Sequence, residues 1–394
     1  MEIIKKFNVN EYTSWILSKA SPHNAIVAAS INTPIDELQF RKALDIAASE
    51  EPNLKLSISP FLSGFTTCKN TISLDFSLTS ETWQKSVEYE LNKPFQEGDA
   101  LLRVRVIKTN RLYYILLCFH HIICDGKSAI EFLLTIFNIY NNNLLSVEKP
   151  RTCAKNIVDF FPFQCQQFSK IKYNSNNNIT KIDGIILSKN IINSIIKYGK
   201  FKNQSVNSIL SSFIINSYQK TFCHTENLNL HISIDLRRFE KNKNLGFHTS
   251  WINILIKNQY CLKELAYTVG ENIVSSLQKN EHINNLILLN NIINKRIDER
   301  SFIDQFISKS PTLGISNCGN IRVPEPTSGI KISEIHLAAN CQSYLGTQNS
   351  FMITIATVNN NSLSINVCYP SPLVSSQLVA IFLKNLHKII HSFI

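Results

Sequence analysis

The run Leu112-Tyr113-Tyr114-Ile115-Leu116-Leu117-Cys118-Phe119 is continuously apolar and rich in aromatic residues, and it stops at His120-His121-Ile122-Ile123-Cys124-Asp125-Gly126. Such a run predicts a strand buried on both faces, so the chain must supply packing layers above and below it. Asp125-Gly126 then breaks the strand. Ser128 with Glu131 three residues on has the spacing of a capping box, and Ile130, Leu133, Leu134, Phe137 and Tyr140 recur at helical spacing. A helix is therefore expected from about Lys127, and two imidazoles and a carboxylate are presented where the strand gives way to it.

The rest of the chain reads as cover for that strand. Thr33-Pro34 followed by Asp36 predicts a helix start with proline at the first position, and Leu38, Ala43, Leu44 and Ala47 carry an apolar stripe to about Ser49. Short strands are expected at Leu54–Ser59 and Leu101–Lys108, with helical periodicity over Trp83–Leu91 between them. Thr109-Asn110 reads as the turn of a hairpin leading into the central strand. From about Asn141 the pattern loosens, ending in the polar Tyr173-Asn174-Ser175-Asn176-Asn177-Asn178. A chain of 394 residues exceeds what one core usually serves, so two domains are expected: 1–165, a linker at 166–180, and 181–394. The second opens with helices at about Lys189–Tyr198 and Ser205–Lys220, after which Leu228–Ile234 alternates as a strand. Near the end, Phe351–Val358 and Leu363–Tyr369 flank Asn359-Asn360-Asn361 as a hairpin, and a helical stripe from Leu378 to Phe393 closes the chain.

Composition narrows the class. Hydrophobic residues at 44% and charged residues at 18%, with only 11 glycines and 12 prolines, fit a chain that folds throughout. Ten cysteines occur without a Cys-x-x-Cys pair and read as reduced core residues. No stretch reads as a signal peptide or a membrane span, so a cytoplasmic location is expected. The net charge of +11 comes from scattered lysines, which reads first as a solvated basic surface. Phosphorylated substrates or acidic partners are the alternative, and no motif points to nucleic acid.

His120-His121-x-x-x-Asp125-Gly126 resembles the active-site signature of the chloramphenicol acetyltransferase superfamily, which includes peptide-synthetase condensation domains and polyketide-associated acyltransferases. Asp235-Leu236-Arg237, Gly246-Phe247-His248-Thr249-Ser250 and Ile315-Ser316-Asn317-Cys318-Gly319 resemble further segments of those families, in order, so the likeness covers nearly the whole chain. Two departures stand out: Glu51-Pro52-Asn53-Leu54 replaces a His-Pro-x-Leu-like segment, and the Asp-Phe-Gly-Trp-Gly of plant-type members is missing. The second departure points to the bacterial-style branches. The resemblance implies an α/β fold of two chloramphenicol acetyltransferase-like domains, mixed sheets with helices packed on them, and an active-site channel at the domain interface.

Each candidate residue carries a chemical reading and a plainer one. Acyl transfer from a thioester needs a base near neutrality, and imidazole suits it. The resemblance gives that role to His121, which could otherwise be a buried structural histidine. His120 must point the other way on a strand and is expected to pack structurally. The resemblance implies that Asp125 pairs with Arg237 rather than orienting the imidazole, while Asp125 as a helix cap stays open. Gly126 would allow close backbone approach at a helix N-terminus or serve only the turn, and Ser316 and Asn317 would line the channel or only shape a turn. Cys118, His120, His121 and Cys124 do not read as a zinc site, because strand alternation puts His121 on the opposite face from Cys118 and His120.

These residues make an acyltransferase the leading expectation, taking an acyl group from acyl-CoA or a phosphopantetheinyl carrier protein to an acceptor hydroxyl or amine. No cofactor or metal is held permanently in that scheme. The alternatives are a free-standing condensation domain joining carrier-bound substrates and a non-catalytic scaffold of the same fold.

Overall fold

The computed structural model describes residues 3–59, 64–79, 81–109, 112–144, 178–222, 227–239, 245–257, 261–295, 301–303, 311–326, 329–341 and 350–393. The first half runs β1 (Lys5–Lys6), α1 (Val9–Ala20), β2 (Asn24–Ile31), α2 (Glu37–Ser49), β3 (Leu56–Ile58), β4 (Gly64–Thr67), β5 (Ser73–Leu78), α3 (Trp83–Asn92), β6 (Leu102–Lys108), β7 (Tyr113–His120) and α4 (Gly126–Asn142). The second continues with β8 (Ile179–Ser188), α5 (Lys189–Lys202), α6 (Val206–Phe222), β9 (Leu228–Asp235), β10 (Thr249–Ile256), α7 (Leu262–Gln278) and α8 (Glu281–Asn294). It ends with β11 (Leu313–Ile321), β12 (Ile332–Ala339), β13 (Phe351–Val358), β14 (Ser362–Ser371) and α9 (Ser376–Phe393).

β7 is central because both of its faces are apolar. Ile115, Leu117 and Phe119 enter the core under α2 and α4, while Tyr114, Leu116 and Cys118 join a second apolar cluster with Val87 and Leu91 of α3. Burying such side chains contributes about 1.5–3 kcal/mol each, which fixes which strands may flank this one. The five-stranded sheet has the order β12-β2-β7-β6-β5, and the six-stranded sheet the order β10-β9-β11-β13-β14-β8. Both are mixed: β5 runs parallel to β6, and β11 runs parallel to β9 and β13. β12 comes from the second half of the chain yet pairs antiparallel with β2, so it completes the first half's sheet. Its backbone is also held from behind, where Thr354 Oγ1 donates to the Leu337 carbonyl at 2.6 Å. The fold is α/β with mixed sheets and helices on them, as expected.

Several local expectations need correction. The cap of α4 is Asp125, whose carboxylate accepts the Ser128 N–H at 2.9 Å, so Ser128 and Glu131 do not form the capping box. An aspartate one residue before the helix reaches the free N–H groups sooner than a serine inside it. Pro34 lies ahead of α2, which Asp36 caps by accepting from Gln39 N at 2.7 Å. Leu54 sits in a short 3₁₀ turn, Pro52–Lys55, leaving only Leu56–Ile58 as strand. Residues 166–177 of the expected linker lie outside the described residues, whereas Ile179 and Thr180 already belong to β8. The Thr109-Asn110 turn is only partly described, but β6 and β7 do pair antiparallel. The β13–β14 hairpin turns through Asn359 and Asn360 at φ 49° and 54°, a left-handed conformation asparagine tolerates. Among the described residues no helix is long and apolar enough to cross a membrane.

Candidate active site

His121 lies just beyond the last residue of β7. Its position follows from sheet register: β2 and β7 pair antiparallel with Asn24 opposite His120, which sets His23 opposite His121. The His121 N–H donates to the His23 carbonyl at 2.8 Å, and the two imidazoles stack with centroids 5.1 Å apart. Phe247, from the second half, also stacks on His121, at 4.6 Å and 22°. His121 Nδ1 is 2.7 Å from the Cys124 carbonyl oxygen. A carbonyl can only accept, so Nδ1 carries the proton in the neutral ring and Nε2 is the basic atom. Burial pushes the pKa of His121 below its ordinary value, and the Asp125 charge and the Cys124 carbonyl oppose that shift only in part.

His120 faces the other way. It is buried near Phe95, its Nδ1 accepts the Ile122 N–H at 3.1 Å, and burial with the nearby His121 pushes its pKa down to about 3. That is a structural histidine's environment. Cys118 lies on the same side, against Arg103 and Glu90. Among the described residues no group of three or more His, Cys, Asp or Glu side chains gathers as metal ligands.

Asp125 caps α4 and also joins the two halves of the chain. Arg237 donates to both its oxygens, at 2.9 Å and 3.0 Å, and the His248 N–H and Thr249 hydroxyl add bonds at 2.9 Å and 3.0 Å. Both side chains are almost fully buried, 4% and 6% exposed. Burial alone would raise the Asp125 pKa, but the Arg237 guanidinium more than reverses this and holds the carboxyl well below its usual range. Lys127 pairs with Asp235 at 2.7 Å, and Asp235 accepts from Arg237 at 3.1 Å, so two cations and two anions form one chain. The segment around Phe247 is gripped too: Glu51 accepts from Leu245 N, and Asn53 donates to the Leu245 carbonyl. Thus the Glu51-Pro52-Asn53 stretch that replaces His-Pro-x holds the loop carrying Phe247. Gly246 leaves no room for a side chain, because a Cβ there would run into the His248 ring.

A cavity of about 300 Å³ opens beside His121 and is lined mainly by apolar side chains from both halves, among them Leu17, Ile26, Leu289, Phe302 and Met352. Gly126 and Ser316 line it. A Cβ on Gly126 would meet Cys318 and Leu337 at 3.5 Å or more, ordinary contact, so close approach does not demand glycine there. Asn317 does not line this cavity. Strand alternation turns it to the opposite side, where it donates to Asn207 at 3.0 Å and lines a second cavity of about 770 Å³ with Arg238 and the first turn of α6. Ser233 borders both cavities, just past Ile232 and Ile315, where β9 and β11 stop pairing.

No family model and no curated protein matches this sequence. Solved structures do match it. Polyketide synthase associated protein 5 from Mycobacterium tuberculosis aligns over 100% of this chain and 99% of its own, with a TM-score of 0.69 at 11% identity. Trichothecene 15-O-acetyltransferase from Fusarium sporotrichioides covers 99% and 94%, TM-score 0.67, at 10% identity. The starter condensation domain of rhizomide synthetase, solved with C8-CoA and Leu-SNAC, covers 98% and 94%, TM-score 0.66, at 11% identity. The chain has the chloramphenicol acetyltransferase-like fold.

Proposed function

We propose that the protein is an acyltransferase that moves an acyl group from a CoA or carrier-protein thioester directly to an acceptor hydroxyl or amine, with His121 as general base. The observation that carries this is the His121 ring, its Nδ1 tied to the Cys124 carbonyl and its flanks set by His23 and Phe247, beside an apolar cavity. Nε2 takes the acceptor proton as the acceptor attacks the thioester carbonyl. The tetrahedral adduct then expels the thiolate, which takes the proton from Nε2, so ester (or amide, from an amine) and thiol leave with no acyl-enzyme. Asp125 and Arg237 position the loop and do not touch the reacting atoms. Ser233, bordering both cavities, supports a channel through which donor and acceptor approach from opposite sides.

The donor's negative charge has a matching surface. α5, α6 and α9 carry Lys189, Lys197, Lys200, Lys202, Lys220, Lys384 and Lys388 and no Asp or Glu, whereas the second cavity itself is lined by Arg238 together with Asp235 and Glu271. CoA phosphates or an acidic carrier protein suit it, and a CoA-dependent reaction with reduced cysteines suits the cytoplasm. The test is incubation with acyl-CoA and carrier thioesters plus alcohols and amines, read by mass spectrometry. Transfer should occur with ternary-complex kinetics, and the donor KM should rise with ionic strength while the acceptor KM does not. Parallel-line kinetics with a trapped acyl-enzyme would overturn direct transfer, and no transfer from any thioester would overturn the acyltransferase reading.

The pH dependence has a definite sign. Nε2 must be deprotonated, and burial lowers the His121 pKa below the ordinary imidazole value of about 6.5. The acid limb of kcat/KM should therefore lie below that value, with activity flat from there through neutrality. A limb centred above it would count against His121 as the base.

A further inference from the structure

Beyond the reacting centre, the cavity wall carries a second set of polar groups. Along β10, Thr249, Trp251 and Asn253 share one face, while Ile252, Ile254 and Ile256 turn into the core of the six-stranded sheet. Register places Ser233 opposite Trp251 and His231 opposite Asn253 on β9. These four side chains form a two-by-two patch, and all four line the cavity that holds His121. The His231 and Trp251 rings stack on the diagonal at 5.9 Å and 18°. Asn285 of α8 donates to the Trp251 carbonyl at 2.8 Å, which pins the strand beneath that helix.

None of the four is charged at neutral pH: burial pushes His231 down to about 4, against the opposing effect of its bond to Asn253. Among the described residues the lining around the patch holds no lysine or arginine, and one carboxylate, Asp125, which is committed to Arg237. Ser14 lines the same cavity, is buried, and its hydroxyl has no hydrogen-bond partner among the described residues. An apolar cavity with a few convergent uncharged donors and acceptors is how a site fixes the orientation of a mostly apolar ligand. Ion pairing plays no part there.

We propose that His231, Ser233, Trp251 and Asn253 form a substrate subsite for an uncharged hydrogen-bonding group, a hydroxyl or carbonyl, carried on an elongated apolar molecule whose other end reacts at His121. With a rise of about 3.4 Å per residue, Trp251 and Asn253 lie roughly 7 Å and 14 Å along β10 from Thr249, whose hydroxyl is bonded to Asp125. That distance sets the length of molecule the subsite selects. The assignment of the reacting end rests on the acyltransferase reading, and the molecule is either the acceptor or the acyl chain of the donor.

Paired probes test it. Binding of decane-1,10-diol and of 1-decanol to the full chain is measured by calorimetry without donor, and both are then compared as acceptors with octanoyl-CoA. A second arm compares 10-hydroxydecanoyl-CoA with decanoyl-CoA. In the arm that matches the natural ligand, the probe with the far hydroxyl should be favoured about tenfold. Asn253→Leu, at an exposed position that threatens the fold least, and His231→Leu should each bring the ratio towards one. Leu255→Ser, on the same strand face but outside the cavity, should leave it unchanged. A ratio near one in both arms, or one that neither substitution alters, overturns the subsite. A binding preference without any thioester transfer would keep the subsite and remove the acyltransferase reading, whereas transfer without preference removes the subsite alone.

Discussion

His121→Ala lowers kcat by about 10²–10⁴-fold while the protein keeps its fold, the expected loss when a general base is removed. Two features make the separation clean. The His121 side chain sits at a cavity wall, where its ring stacks on His23 and Phe247, and its Nδ1 bonds the Cys124 carbonyl, an acceptor that water can satisfy once the ring is gone. His120→Ala provides the contrast one residue away. It removes the acceptor of the Ile122 N–H from a buried site, so it should cost about 1–3 kcal/mol of stability for the stranded donor and leave kcat at saturating substrate much less affected. Thermal melts and steady-state kinetics on both variants decide the matter. A folded His121→Ala enzyme with near-normal kcat would remove His121 from the mechanism.

How much of this was legible in the sequence depends on whether the signal was local. The strand, break and helix around His120 and Asp125 are, because apolar run, turn chemistry and helical period follow one another without interruption. The β13–β14 hairpin is legible for the same reason. β2 is not: Asn24-Ala25-Ile26-Val27-Ala28-Ala29-Ser30-Ile31 is buried along its whole length and shows no alternation, and unlike β7 it has no aromatic residue and is interrupted by Asn24, Ser30 and three alanines. Missing β2 meant missing His23, whose only cue is its place just ahead of a short apolar run; what brings it to His121 is antiparallel register. β12 was missed as well, and it is the strand that ties the second half to the first half's sheet, a pairing across some 300 residues that no window detects. The patch on β9 and β10 shows the same limit, since the alternation of β9 is visible but its partner strand and their register are not.

Arg237→Ala should be the most damaging change to the fold near the site, and its pH dependence tells why. The substitution leaves the Asp125 carboxylate buried without its counter-ion, at a cost of about 3–5 kcal/mol, and the loop between β7 and α4 that carries His121 loses its anchor. Asp125→Asn should cost less. The amide oxygen can still accept from Ser128 N, and Arg237 keeps Asp235 at 3.1 Å and the Ser128 hydroxyl as partners. In the double variant neither charge is stranded, so its loss should fall short of the sum of the two singles, and a strictly additive cycle would deny the coupling. In the parent protein Asp125 has a folded-state pKa below its unfolded value, so its contribution is present above the unfolded pKa, near 3.8, and is lost as pH falls from there through the folded pKa. Removing Arg237 takes away the strongest influence that depresses the pKa and leaves burial, which raises it, opposed only by the weaker bonds from Ser128, His248 and Thr249. The variant therefore carries its penalty at neutral pH and sheds part of it as Asp125 protonates. The gap in melting temperature between parent and Arg237→Ala should narrow as pH is lowered from 7 towards 4; a gap that stays constant would mean that Arg237 acts through packing rather than through the charge on Asp125.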